Sequence, residues 1–277
     1  MRAWKPEQMS LIKTDLAAIA HRADTFEAYT KSVERAIRHM KANLAEPVDL
    51  DQLAEIAGIS KFHFVRVFDQ TTGTTPHNFL ACLRMQRAKE RLLKSETSIT
   101  DVCLEVGYNS LGTFSKTFSE LVGVSPQQFR TMPRRMSAKQ FATAIWRYLA
   151  ARTKISGPVI EGKVEGPRTP KGFTFVGTFT RGVPLAVPFS GTVMIGHGEF
   201  RIERPKDEEF YLLAALMPLS ANFTDMVGNL PIRLVASLRV SNELAAAKEN
   251  PVLCLRPLRP TDPPIVLALP ALPPLRS

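Results

Sequence analysis

A chain of 277 residues is long enough for two domains with separate cores, and its 36 Lys and Arg against 26 Asp and Glu leave a net charge of +10. That excess suits a polyanion partner and equally an ordinary basic protein, so charge alone excludes little. Cys82, Cys103 and Cys254 are widely spaced, odd in number and without a CxxC pair, so neither a disulfide framework nor a zinc site is indicated, the N-terminus does not read as a signal peptide, and no run of 18 apolar residues marks a membrane span; a reducing, cytoplasmic location is expected.

In chain order, residues 1–25 read as an N-terminal tail. FEAYTKSVERAIRHMKANL then sets Val33, Ile37, Met40 and Leu44 at helical spacing, and Pro47 closes it. LDQLAEIAG is a short helix ended by Gly58. Ser60 is expected to cap the next helix, which runs to about Thr72 and ends at Gly73. A long helix is expected from Pro76 to Ser95. ITDVCLEVG and SLGTFSKTFSELVG replay the short pair, and SPQQFRTM opens a further helix with Ser125 as cap and Pro126 in its first turn. Residues 134–170 read as a helix, AKQFATAIWRYLAAR, and a Gly/Pro-rich linker, GPVIEGKVEGPRTPKG; from Ser137 to Gly172 the net charge is +5.

From residue 171 to 277 the texture changes to short apolar runs split by Gly and Pro: GFTFVGTFT, GTVMIG, EFRIERP, FYLLAALMPL, PIRLVASLRV, VLCLRPL and PIVLALP. SNELAAAKEN reads as a late helical insertion. An antiparallel β-sandwich is expected, with Phe173, Phe175, Val193, Ile195, Phe200, Leu212, Leu234 and Val266 in its core. The fold class is therefore multidomain: an all-α N-terminal domain over 26–133 with two helix-turn-helix units, then an all-β, sandwich-like domain over 171–277.

The two units are copies. Leu53, Ala54 and Gly58 match Val102, Cys103 and Gly107 at an offset of 49. Phe64, Phe68, Gly73, Pro76 and Phe79 match Phe114, Phe118, Gly123, Pro126 and Phe129 at an offset of 50. A helix ended by glycine, a short turn and a second helix form the helix-turn-helix unit. In the first copy Phe64, Val67 and Phe68 share an inward face, which leaves Phe62, Val65, Arg66 and Asp69 outside. In the second, Phe114, Thr117, Phe118 and Leu121 point in, and Leu111, Gly112, Ser115, Lys116 and Ser119 point out. Apolar groups beside an arginine suit a major groove, where they meet thymine methyls and a guanine edge. Packing of Phe62 under a neighbouring helix, and a solvated Arg66, remain the alternatives. The long helix would measure about 30 Å, close to the roughly 34 Å of one duplex turn, so one chain could set two reading helices in successive grooves.

The segment from Phe26 to Pro133 resembles the DNA-binding domain of the AraC/XylS family of bacterial transcription regulators, with the GVSPQQFR ending especially typical; the resemblance covers about 108 of the 277 residues. It implies reading helices over Lys61–Thr71 and Leu111–Leu121, with Phe62, Val65, Arg66, Leu111, Gly112, Ser115 and Lys116 facing bases. Gly112 departs from the family, which often has a larger side chain there. Ser60, Lys61, Ser110, Ser125, Gln127, Arg130, Arg134 and Arg135 are phosphate-contact candidates, with solvated surface groups as the alternative. The resemblance implies a transcription regulator that binds double-stranded DNA, activates by contacting RNA polymerase, and couples this reader to a part that senses a small-molecule effector, dimerises or binds a partner. An architectural DNA-binding protein without promoter choice, or a ligand-binding or enzymatic β domain tethered to DNA, are the rivals. No catalytic constellation, cofactor or metal is expected: His197 between two glycines reads as a turn, RPKDEEF as a solvated loop, and no Gly-rich phosphate loop is present.

Overall fold

The computed structural model describes residues 25–94, 96–135, 157–167, 172–184, 188–206, 209–218, 234–240 and 250–266. The expected helix over AKQFATAIWRYLAAR, residues 241–249 of the insertion SNELAAAKEN and the terminal tails lie outside these residues.

Among the described residues seven helices make up the helical half: α1 over 25–42, α2 Leu50–Ala57, α3 Lys61–Thr72, α4 Pro76–Lys94, α5 Ile99–Glu105, α6 Leu111–Val122 and α7 Pro126–Arg135. Glycine sets the turns. Gly58, Gly73, Gly107 and Gly123 have φ of 73°, 73°, 82° and 92°, the left-handed region that a side chain resists. At both inter-helix turns the closure is the same. The amides of Gly58 and Ile59 donate to Glu55 and Ala54; those of Gly107 and Tyr108 donate to Leu104 and Cys103. This Schellman pairing satisfies the carbonyls that a helix end would otherwise orphan. The sequence offset has its cause here: Gly58, Ile59 and Ser60 span the first turn, whereas Gly107, Tyr108, Asn109 and Ser110 span the second.

Each unit is held by the same aromatic ladder. Phe64, Phe68 and Phe79 stack edge to face with ring centroids 5.5 Å apart at both steps. Phe114, Phe118 and Phe129 form the matching ladder at 5.7 and 5.6 Å, its first pair tilted and its second edge to face. All six rings are fully buried, in two separate apolar clusters. Such pairs add about 0.5–1.5 kcal/mol each beyond area burial. Capping follows the sequence except at one place. Ser98, Ser110 and Ser125 accept the amides of Asp101, Thr113 and Gln128, and Gln128 returns a bond to the Ser125 amide. Ser60 occupies the cap position of α3, but its hydroxyl makes no capping bond.

The second half is strand-rich, with strands β1 Val159–Glu165, β2 Gly172–Phe179, β3 Gly191–Ile195, β4 Glu199–Glu203, β5 Phe210–Pro218, β6 Leu234–Val240, β7 Val252–Cys254 and β8 Arg256–Pro257. They form a three-stranded sheet, β4-β1-β7, and a five-stranded sheet, β3-β2-β5-β6-β8, whose facing sides share one apolar cluster including Val164, Phe200, Val176 and Leu212.

Several expectations are corrected. β1 lies inside the stretch expected to be linker. Its outward positions are Glu161, Lys163 and Glu165, and its inward Gly162 leaves room that the Phe200 ring and the Pro251 carbonyl fill; a Cβ there would meet both at 2.5 Å. The sheet is not purely antiparallel, because β1 pairs with β7 in parallel. Ile195 is 81% exposed rather than core. Residues 264–266 of PIVLALP form no strand, and Val266 is buried in the cluster of the second helical unit, not among the strands.

Candidate nucleic-acid interface

The ladder explains what is left outside. With Phe64, Val67 and Phe68 turned into the core, helical geometry forces Phe62, Val65, Arg66 and Asp69 to the other face of α3. Phe62 is 90% exposed, so it does not pack under a neighbouring helix. Val65 is half-buried, and Arg66 is exposed. In α6, Leu111 is 44% exposed, Gly112 and Lys116 are exposed, and Ser115 is half-buried. Each second helix thus presents a large apolar side chain in its first turn and a cation one turn later.

Arg66 is held in place. Its guanidinium donates to Nδ1 of His63 at 3.0 Å, and the His63 ring stands edge-on to Tyr29 of α1 at 4.9 Å. An arginine nitrogen can only donate, so Nδ1 accepts and the imidazole proton sits on Nε2. Sequence reasoning missed His63 and Tyr29. The i, i+3 spacing of His63 and Arg66 was a visible signal for the first; nothing local pointed to Tyr29.

The phosphate candidates differ in how free they are. Lys61 pairs with Asp51 at 2.8 Å, and this hydrogen bond raises its ammonium above the ordinary value. Ser110 and Ser125 cap their helices, and Gln127 is exposed beside Pro126. Arg130 is engaged within the fold: its guanidinium donates to the Thr97 carbonyl at 2.6 Å, while its Nε is buried without a partner. Arg134 and Arg135 fall in the last turn of α7.

The two units are tied together by α4, whose 19 residues correspond to about 28 Å. From its middle, Arg84 reaches back to the carbonyls of Leu44 and Glu46 at 3.0 and 2.9 Å, and its guanidinium lies 5.5 Å from the Tyr108 ring in the second turn. One side chain therefore grips the α1–α2 loop of the first unit and the turn of the second. On its far side α4 carries Lys89, 2% exposed, which donates to the Val266 carbonyl at 3.0 Å and lies 5.6 Å from the Phe129 ring. Burial lowers its ammonium to about 8. Cys82 and Cys103 are buried, and burial pushes the Cys82 thiol up to about 12. Among the described residues there is no grouping of three or more His, Cys, Asp and Glu that could hold a metal, and no helix is long and apolar enough to cross a membrane.

Comparison with known proteins matches residues 53–132 to the helix-turn-helix domain family. An uncharacterized HTH-type transcriptional regulator of Haemophilus influenzae is 41% identical over 81 residues, covering 29% of this chain and 27% of that protein. The MmsAB operon regulatory protein of Pseudomonas aeruginosa is 35% identical over 92 residues, covering 33% and 30%. Among solved structures, an AraC-type transcriptional regulator from Chromobacterium violaceum is 30% identical, with 37% of this chain and 91% of that one covered and a TM-score of 0.36. The DNA-binding domain of AdpA bound to a target DNA is 27% identical, covering 37% and 93%, also at 0.36. The chain spans less than a third of the length of the Haemophilus and Pseudomonas proteins, and the family match falls in its helical half.

Proposed function

The helical half of this chain belongs to the AraC/XylS family of helix-turn-helix regulators, and on that premise we propose that the protein is a sequence-specific regulator of transcription that reads two successive major grooves of double-stranded DNA with α3 and α6. One observation carries this reading: the aromatic ladder is repeated in both units, and in both it turns outward a face with an exposed apolar residue and a cation, Phe62 with Arg66 and Leu111 with Lys116. Such a face is suited to base edges. Phe62, Val65, Arg66, Leu111, Gly112, Ser115 and Lys116 are the proposed base readers. Ser60, Lys61, Ser110, Ser125, Gln127, Arg134 and Arg135 are the proposed phosphate contacts. Arg130, already bonded to Thr97, serves the fold first.

In this reading the protein acts in the cytoplasm as an activator that contacts RNA polymerase. The strand-rich half is a β-sandwich that responds to a small molecule, pairs two copies or binds a partner. The charge over residues 26–136, 15 basic against 12 acidic, is too balanced for adhesion to any DNA by bulk attraction, which favours a sequence reader over an architectural protein. The test is selection of bound sites from random duplex by the full chain, followed by footprinting. A shared sequence spanning two helical turns, with protection in two consecutive major grooves, is expected. Recovery of no common sequence would refute the reading.

A further inference from the structure

The repeat that pairs Gly58 with Gly107 also pairs Arg35 of α1 with Arg84 of α4, at the same offset of 49. The two arginines are used differently. Arg35 stays within the first unit: its guanidinium donates to the Ile56 carbonyl at 3.1 Å and to the Ala57 carbonyl at 2.7 Å, tying α1 to the end of α2. By the repeat, Arg84 would tie α4 to the end of α5. Its bonds go instead to the Leu44 and Glu46 carbonyls of the α1–α2 loop, at 3.0 and 2.9 Å. The second turn approaches the same place. A Cβ on Gly107 would stand 2.6 Å from the Leu44 carbonyl oxygen, 3.0 Å from that of Ala45 and 2.7 Å from the Arg84 guanidinium, so only a residue without a side chain lets the turn sit this close. On Gly58, its counterpart, a Cβ would meet nothing nearer than the Arg35 guanidinium at 3.6 Å.

Tyr108, the residue after Gly107, sets its ring 5.5 Å from the Arg84 guanidinium and 5.7 Å from Phe114, the first ring of the α6 ladder. A line of contacts therefore runs from the backbone of the first unit, through Arg84 and Tyr108, to the second reading helix. The rest of the connection is apolar: α4 gives Phe79, Leu80 and Leu83 to the first core and Met85, Ala88 and Leu92 to the second. Apolar packing is non-directional and tolerates a small roll of either unit about α4. Two hydrogen bonds from one planar guanidinium to two carbonyls are directional and resist it. A roll matters on DNA. One base pair more or less between two half-sites shifts the second by about 3.4 Å and turns it by about 34–36°.

We propose that Arg84 is a positioning residue that fixes the separation and angle at which α3 and α6 meet DNA, so that the protein accepts one spacing between its two half-sites and rejects its neighbours. The proposal rests on the two-groove reading above. Arg84 touches no base in this role; it acts through the α1–α2 loop on one side and through Gly107 and Tyr108 on the other.

The test measures dissociation constants of the full chain on the selected site and on versions with one base pair added or removed between the half-sites. The unmodified protein should bind the altered sites at least about tenfold more weakly, the effect of losing the contacts of one or two base pairs. Arg84→Met should reduce that discrimination to below about threefold. Arg35→Met cuts the corresponding tie inside one unit and should leave the discrimination as it is. If Arg84 served stability alone, its loss would lower affinity for all three sites by one factor and keep their ratio; that result overturns the proposal. So does an unmodified chain that binds all three equally, or an equal loss of discrimination in Arg35→Met. Should Arg84→Met fail to fold, Tyr108→Leu removes only the ring at the far end of the line, and unchanged discrimination there overturns the proposal. A chain that binds no duplex refutes the regulatory reading, and spin labels then decide the clamp by itself. Placed at Gln70→Cys and Glu120→Cys, matched exposed positions near the ends of α3 and α6, with the exposed Cys254→Ser, they should give one narrow distance distribution that widens on Arg84→Met or Tyr108→Leu. A distribution already broad in the unmodified chain, or one that neither variant widens, overturns the clamp.

Discussion

Arg66 and Arg130 carry the same group to opposite purposes. Arg66 is exposed, steadied by His63 and, through it, by Tyr29, so little side-chain entropy would remain to be lost in the base contact proposed for it. Arg66→Ala should weaken binding to the preferred site by about 1–3 kcal/mol and relax the choice at one base pair, as read by site selection. Arg130 spends its guanidinium on the Thr97 carbonyl. Arg130→Ala should leave base preference untouched and lower stability by about 1–3 kcal/mol in urea denaturation; an altered preference would show that it reaches the duplex after all. Lys89 makes stability depend on pH. Its folded value, about 8, is below the ordinary 10.5, with burial as the main cause and Glu90 opposing it. Between these values the unfolded chain holds more protons than the folded one, so stability should rise as pH goes from about 8 to 10.5. Lys89→Met removes the cost of burying the charge and should flatten that rise; the full effect is about 3 kcal/mol. Unfolding midpoints measured at pH 7.5 and 10 in both chains check it.

Among the elements, the turns are where one substitution can have opposite signs. Gly107 has φ of 82°, and a Cβ there would stand 2.6 Å from the Leu44 carbonyl oxygen, so Gly107→Ala should cost more than about 2 kcal/mol. Gly112 lies in the first turn of α6 with nothing nearer than the Ser110 hydroxyl at 3.7 Å; Gly112→Ala should stabilise by about 0.5–1 kcal/mol. Comparing the two urea midpoints tests both signs. These turns, the caps at Ser110 and Ser125 and the paired phenylalanines were legible in the sequence because each depends on residues a few positions apart. β1 was not. Its inward side is Gly162 and Val164, its outward side is charged, and the ring that completes it comes from Phe200 on β4. The Ser60 cap failed for a related reason: the residue type permits a capping bond but does not compel one. Val266 was recognised as a buried residue but assigned to the wrong core, since its partner Lys89 is 177 positions away.

For the whole molecule, the joint at Val266 means that the reader is completed by the other end of the chain. A fragment of residues 26–133 should still protect two consecutive grooves in a footprint, because both ladders lie within it. It should unfold at lower urea than the helical half of the full chain, and Lys89 should titrate nearer its ordinary value once water replaces Val266. An unchanged midpoint would show that the joint carries no stability. The two inter-helix turns, three residues from glycine to cap in one unit and four in the other, have a further consequence. With Asn109 present in one copy alone, and Phe62 and Arg66 answered by Gly112 and Lys116, the units are unequal copies strung in the same order along the chain. No dyad can relate them, so the DNA they occupy need not be palindromic. Such a site has a head and a tail: turning it end for end would carry the strand-rich half from one flank of the promoter to the other, and the bound protein would act as an arrow where a symmetric dimer acts as a clasp.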